Sequence, residues 1–218
     1  MDCAQARHRM VEAQIARRGV SDPAVLEAMR TVPREAFVAT GCEEFAYEDS
    51  ALPIAEGQTI SQPYIVGAML AAAELQKDDK VLEVGAGSGY AAAVLSRIAS
   101  KVFAIERIAE LTLAARERMT ALGYDNVELK TGDGSAGWPE QAPFDAIIVS
   151  AGCLRIPDAL KSQLAIGGRL VIPIGPLDEQ RLVRLIRTTV TSFEQKDLDA
   201  VRFVKLIGAG GWQETAPL

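Results

Sequence analysis

Five short runs rich in valine and isoleucine, spaced by helical stretches, limit most strongly what this chain can fold into. They are KVLEV (80–84), KVFAIE (101–106), NVELKT (126–131), FDAIIVS (144–150) and GRLVIPI (168–174). Tyr90 to Ile98, Ala109 to Leu122 and Pro157 to Leu164 lie between them and are predicted helices. Strands alternating with helices make βαβ units, so the expected core is α/β, a mostly parallel sheet covered on both faces. Beyond Gly175-Pro176 the alternation stops. RLVRLIRTTV and AVRFVKLI read as two strands parted by a polar segment, which predicts an antiparallel C-terminal finish.

Ahead of this core, Ala4 to Arg18 is predicted helical, with Met10, Val11 and Ile15 on one side. Ser21-Asp22-Pro23 predicts a second helix, with Ser21 as cap and Pro23 in the first turn, running through Met29. Residues 34–60 lack periodicity and are expected to be mostly loop. A chain of 218 residues, 49% hydrophobic, is long enough for one well-filled domain.

The charge balance excludes several classes. A net charge of -6 offers no general attraction to nucleic acid or to an anionic membrane. The basic clusters (Arg7 with Arg9, Arg17-Arg18, Arg116 with Arg118) sit among acids and are expected on solvated helix faces. Cys3, Cys42 and Cys153 are widely spaced and make neither a metal set nor a disulfide framework. The N-terminus lacks the apolar stretch of a signal peptide, and Tyr64 to Leu75 is too short to span a bilayer. A cytoplasmic protein with no membrane, metal or nucleic-acid partner is expected.

EVGAGSGY (83–90) joins the first core strand to the first core helix. Gly85, Gly87 and Gly89 permit a tight turn and a close approach of ligand to main chain. The dinucleotide fingerprint is GxGxxG, whereas this spacing is GxGxG with Glu83 two positions ahead. A carboxylate there repels a pyrophosphate but suits an ammonium group. Glu106 ends the second strand, where an acid can accept both hydroxyls of a ribose. Asp133-Gly134 follows the third strand, in register for an adenine amino group, although Asp-Gly alone is an ordinary turn. Ribose, adenine and ammonium without phosphate describe S-adenosylmethionine.

GQTISQPYIV (57–66) packs polar residues against a long apolar run. Ser61 can be a helix N-cap ahead of Pro63, and a helix N-terminus is also a seat for a carboxylate. Beyond these motifs, REAFV (34–38), YEDSALPIAEGQTISQPYIV (47–66), KVLEVGAGSGYAAAVLS (80–96), IERIAEL (105–111), GYDNVELKTGDGSAGWPEQAPFDAIIV (123–149), IPDALKSQL (156–164), GGRLVIPIG (167–175) and VRFVKL (201–206) resemble the protein-L-isoaspartate (D-aspartate) O-methyltransferase family. The likeness spans roughly residues 5–207, and GQTISQP and GDGSAGW are its most specific parts.

That resemblance implies a Rossmann-like class I S-adenosylmethionine-dependent methyltransferase fold with added N-terminal helices and an altered strand order at the C-terminal edge. It implies methylation of the α-carboxylate of L-isoaspartyl residues in damaged proteins and peptides, a repair activity. Ser61 falls on the family's active-site serine. Cofactor contacts fall on Thr59, Ile60, Ser61, Glu83, Gly85, Ala86, Gly87, Ser88, Glu106, Arg107, Asp133 and Gly134. One unit, 1–218, is expected: an N-terminal helical and substrate region (1–79), a cofactor core (80–175) and C-terminal strands and tail (176–218), acting as a monomer. The alternatives are the same fold with a small-molecule or RNA acceptor, a non-catalytic cofactor-binding module, and an NAD-dependent dehydrogenase. Ala55, Cys153, Leu154 and Lys205 depart from the family pattern.

Overall fold

A computed structural model describes residues 2–213. Helix α1 (Cys3–Met10) is capped by Asp2, whose carboxylate accepts from the Gln5 N–H. The helical path continues through a widened π turn, Val11–Ile15, and a 3-10 turn, Ala16–Arg18, and ends at left-handed Gly19. Met10, Val11 and Ile15 are buried, as their spacing predicts. In α2 (Pro23–Thr31) Asp22, not Ser21, is the cap. Its carboxylate accepts from the N–H groups of Ala24 and Val25, because Pro23 takes the first helical position and puts the cap one residue before it.

Residues 34–60 are largely 3-10 turns and bends, plus a small antiparallel pair, β1 (Leu52–Pro53) with β2 (Thr59–Ile60). Helix α3 (Pro63–Ala72) follows, nearly all apolar, and packs on the N-terminal helices. The core then runs β3 (Lys80–Val84), α4 (Tyr90–Leu95), β4 (Lys101–Glu106), α5 (Ala109–Leu122), β5 (Val127–Thr131), β6 (Phe144–Val149), α6 (Asp158–Ser162), β7 (Leu164–Ile174), β8 (Gln180–Arg187) and β9 (Phe193–Val201).

These seven core strands form one sheet in the order β5-β4-β3-β6-β7-β8-β9, parallel through β7 and antiparallel from β7 to β9. The order at the C-terminal edge is plain chain order. Val81, Leu82 and Val84 of β3 are fully buried, because helices cover both faces there. Removing such a side chain costs about 2–5 kcal/mol. The strand order reverses between β4-β3 and β3-β6. Crossovers leave in opposite directions at that point and open a crevice at the carboxyl ends of the strands.

One sequence expectation is corrected at the C-terminal edge. The last strand is the polar FEQKDLDAV (193–201), not AVRFVKLI. As the edge strand, β9 has most of its side chains in solvent, so polar residues suit it. Phe203 and Leu206 instead bury themselves where the chain crosses back over the sheet. There Lys205 bridges to Gly152, and Ile207 to Trp212. Several basic residues also differ from a solvated face. Arg7 donates to the Arg30 carbonyl, Arg18 lies over Tyr64, and Arg118 donates to the Ser88 carbonyl at 2.7 Å.

Candidate active site

The glycine loop sits at the switch point, where β3 gives way to α4. The N–H groups of Gly85 and Ala86 both donate to the Ile105 carbonyl, which binds the loop to the end of β4. Gly89 has φ +87°, and a Cβ there would lie 2.6 Å from the Met119 methyl and 3.3 Å from the Ala115 Cβ. Only glycine lets α4 begin this close to α5.

Glu106 closes the loop from the other side. Its Oε2 accepts from the Gly87 N–H at 2.9 Å and its Oε1 from the Ile108 N–H at 3.0 Å. A carboxylate has about four acceptor positions, so each oxygen keeps one for a ligand. Glu106, Arg107, Gly85, Gly87 and Gly134 line a cavity of about 100 Å³ together with Ile105, Ile108 and residues 204–207.

A second, smaller recess lies on the far side of the loop, bordered by Thr59, Ile60, Ser61, Glu83, Gly85, Ala86, Gly87, Ser88, Tyr90 and Ser150. Glu83 is 1% exposed, and its Oε2 is buried without a hydrogen-bond partner. Burial chiefly, and then the nearby Glu106 charge, push the Glu83 carboxyl well above the usual carboxylate range. An orphaned acid at the edge of a recess fits a cationic group of a ligand. That is the observation by which this chain's residues fit S-adenosylmethionine: an ammonium on the Glu83 side and a nucleoside on the Glu106 side.

Asp133 is placed differently from expectation. Desolvation favours its neutral form, but the Ser135 hydroxyl and the N–H groups of Ala209 and Ser135 outweigh it and hold the carboxyl below its ordinary range. The Ser135 N–H and hydroxyl reach Oδ1 at 2.9 and 2.6 Å, and the Ala209 N–H reaches Oδ2 at 2.7 Å. Asp133 therefore ties the C-terminal segment to the turn after β5, and Gly134 alone of the pair faces the cavity.

Ser61 is not a cap. Helix α3 begins at Pro63 with Gln62 as the capping residue, so the Ser61 side chain is left outside the helix. It is half-buried and borders both the recess beside Glu83 and a groove of about 970 Å³. That groove runs between Asp49–Ala51 and Gln62 on one wall and Asp178–Arg181 and Ala200–Val204 on the other. Cys153 is buried, and burial pushes its thiol up to about 11, which removes it as a nucleophile. His8 is exposed on α1.

Residues absent from the sequence-based site include Ser150, Tyr90 and the segment from Val204 to Ile207. Ser150 had a signal, since it ends FDAIIVS at the carboxyl edge of a core strand, where ligands of such sheets bind. The segment 204–207 had none, because its apolar residues resemble a strand. Among the described residues no cluster of His, Cys, Asp and Glu is able to hold a metal ion, and no helix is long and apolar enough to cross a membrane.

A parallel α/β sheet with an alternating-glycine loop and an acid at the end of each of its first two strands defines a nucleoside-cofactor enzyme of the methyltransferase class. The sequence profile of the protein-L-isoaspartate(D-aspartate) O-methyltransferase family matches residues 5–217, and the chain belongs to that family. It is 57% identical to protein-L-isoaspartate O-methyltransferase 1 of Rhodopseudomonas palustris (strain HaA2), over 98% of this chain and 88% of that one. A solved protein-L-isoaspartate O-methyltransferase superposes with a TM-score of 0.85 at 30% identity, over 94% of this chain and 67% of that one. A Plasmodium falciparum family structure in complex with S-adenosyl-L-homocysteine superposes with a TM-score of 0.79 at 25% identity, covering 92% and 98%.

Proposed function

We propose that the chain transfers a methyl group from S-adenosylmethionine to the α-carboxylate of L-isoaspartyl residues, and that Ser61 orients that carboxylate. One observation supports the placement: Thr59, Ser61 and Ser150 border both the recess beside Glu83 and the wide groove. A peptide in the groove then meets the cofactor at Ser61.

Bound S-adenosylmethionine supplies an activated methyl on a sulfonium. The chain's own task is alignment. A free carboxylate has a pKa of about 4 and is anionic at neutral pH, so no general base is needed. This agrees with a site whose neighbourhood holds no histidine. Glu83 and Glu106 hold the two ends of the cofactor, the glycine loop lies between them, and the Ser61 hydroxyl donates to the acceptor carboxylate. Orientation of this kind supplies about 7 kcal/mol in good cases.

The chain acts as one unit, with residues 1–79 and 176–218 supplying the two walls of the acceptor groove and 80–175 most of the cofactor cradle. We assign it to the cytoplasm as a monomer, and sedimentation of the purified protein tests the second point. For the reaction, methyl-labelled S-adenosylmethionine is incubated with paired peptides containing L-isoaspartate or L-aspartate. Base-labile label on the isoaspartyl peptide alone is expected; equal labelling of both, or none despite cofactor binding, overturns the assignment. Ser61→Ala is expected to lower turnover at least tenfold with cofactor affinity within about twofold.

A further inference from the structure

Arg34 is the largest completely buried side chain among the described residues, and the site described above leaves it without a task. It stands in REAFV, on the 3-10 turn Arg34–Phe37, and lines neither cofactor cavity itself. Its Nε donates to the Ala46 carbonyl at 2.8 Å and its Nη2 to the Ser61 carbonyl at 2.8 Å. Its Nη1 is buried without a partner, and its guanidinium carbon lies 4.8 Å from the centre of the Tyr90 ring. No carboxylate pairs with it among the described residues. Burial alone accounts for most of the downward push on its pKa. A buried guanidinium without a counter-ion is costly, and such costs persist where a precise geometry depends on them.

The geometry lies in the peptide unit it holds. A trans peptide points its C=O and its N–H in opposite directions. Arg34 draws the Ser61 carbonyl into the core, so the following N–H, that of Gln62, faces away from the core. Gln62 is the capping residue of α3, and its N–H has no acceptor among the described residues. The Gln62 side chain in turn donates to the Asp49 carbonyl at 2.9 Å, which ties together the two segments that form this wall of the groove. We infer that Arg34 is a positioning residue for methyl transfer: by gripping the Ser61 carbonyl it sets the Ser61 hydroxyl and the Gln62 N–H as a paired seat for the acceptor carboxylate. The arginine fork holds two carbonyls in fixed relation, which the single-point ammonium of lysine does not.

This inference rests on the reading of Ser61 above, and its test separates the two. The experiment is a double-mutant cycle of Arg34→Lys and Ser61→Ala on the full chain, measuring kcat and KM for an isoaspartyl peptide and the affinity for S-adenosylhomocysteine. Arg34→Lys is expected to lose about tenfold or more in kcat/KM, with cofactor-product affinity within about twofold. In the Ser61→Ala background the same change is expected to cost clearly less than in the parent, because only the Gln62 N–H is then left to position and residues that act as a unit do not add. Losses that multiply, a parallel loss of cofactor affinity, or an Arg34→Lys enzyme with unchanged kinetics each overturn the role of Arg34. A Ser61→Ala enzyme with normal turnover instead removes the reading of Ser61, and is seen before the double variant is made. Where lysine does not yield folded protein, Arg34→Gln, which keeps a single donor nitrogen, is carried through the same cycle.

Discussion

The two halves of the proposed site are built by different means. The cofactor half is a turn between buried strands, and its shape follows from close packing: Gly89 against Met119, Gly134 against Val84. The acceptor half is made of irregular segments, 46–62 and 200–204, held by side chains that reach for carbonyls. Arg34 holds Ala46 and Ser61, Gln14 holds Tyr47, and Gln62 holds Asp49. Packing gives a rigid cradle at the price of intolerance to added volume. Hydrogen-bonded loops give a groove that tolerates sequence change but depends on a few donors. Mutations in the first half should therefore move stability and cofactor affinity together, and those in the second should move turnover with little effect on either.

Gly89→Ala tests the first half most severely. The methyl group both clashes with Met119 and sits on a left-handed backbone, φ +87°. Left-handed backbone costs about 1–2 kcal/mol and overpacking about 1–3 kcal/mol, so about 2–5 kcal/mol is expected in urea unfolding. Cofactor affinity should fall with it. A Gly89→Ala protein of normal stability would show that the cradle flexes, and would dissolve the contrast.

Glu83→Gln separates stability from binding within the cradle. The acid's folded pKa is raised, so its favourable contribution is present only below its unfolded value of 4.5 and is lost as pH rises toward the raised folded value. At pH 7 without ligand the glutamine variant is expected to melt higher than the parent, and the gap should close below about pH 4.5. S-adenosylhomocysteine, which carries the same ammonium group, should bind about 10- to 100-fold more weakly, the worth of a hydrogen bond to a charged group. Calorimetry with and without ligand reads both effects. A variant that melts lower at pH 7, or binds as well as the parent, removes the ammonium assignment.

Legibility in the sequence follows the same division. The central parallel strands were readable because helices cover both faces, and burial on both sides leaves nearly continuous apolar runs such as KVLEV; the edge strand β5, with only Leu129 buried, was readable only from its place in the alternation. The place of the glycine loop, and of Glu83 and Glu106 near the ends of β3 and β4, was readable because close packing and strand ends constrain residue types at fixed positions. The acceptor half was not. Ser61, where the resemblance places the active-site serine, also reads as a cap, but Gln62 takes that position before Pro63 as Asp22 does before Pro23. The edge strand β9 escaped because an edge needs no apolar face, and RFVKLI was mistaken for a strand because a segment buried across a sheet end has the same composition. Asp133 reads toward adenine, and nothing in the sequence tells that residue 209 returns to donate to its carboxylate.

Asp133→Asn gives the smallest and most discriminating effect, because Asp133 belongs to neither half alone. Its Oδ1 caps the turn that carries Gly134 into the cofactor cavity, and its Oδ2 anchors the segment whose residues 204–207 form the opposite wall. An amide keeps one acceptor oxygen, so only one of the two ties survives, a loss of about 1 kcal/mol by comparison with other caps. The folded pKa of Asp133 is held below 3.8, so its contribution is present above that value and is lost as pH falls through the lowered folded value. Melting curves of parent and variant should therefore differ at pH 7 and converge in acid, the reverse of the pattern for Glu83→Gln, where the variant is the more stable at neutral pH. Cofactor affinity should weaken only a few-fold if Asp133 works through the segment it anchors. A loss as large as that of Glu83→Gln, with unchanged melting, would mean that the carboxylate contacts the cofactor directly and that residues 208–210 move aside when it binds.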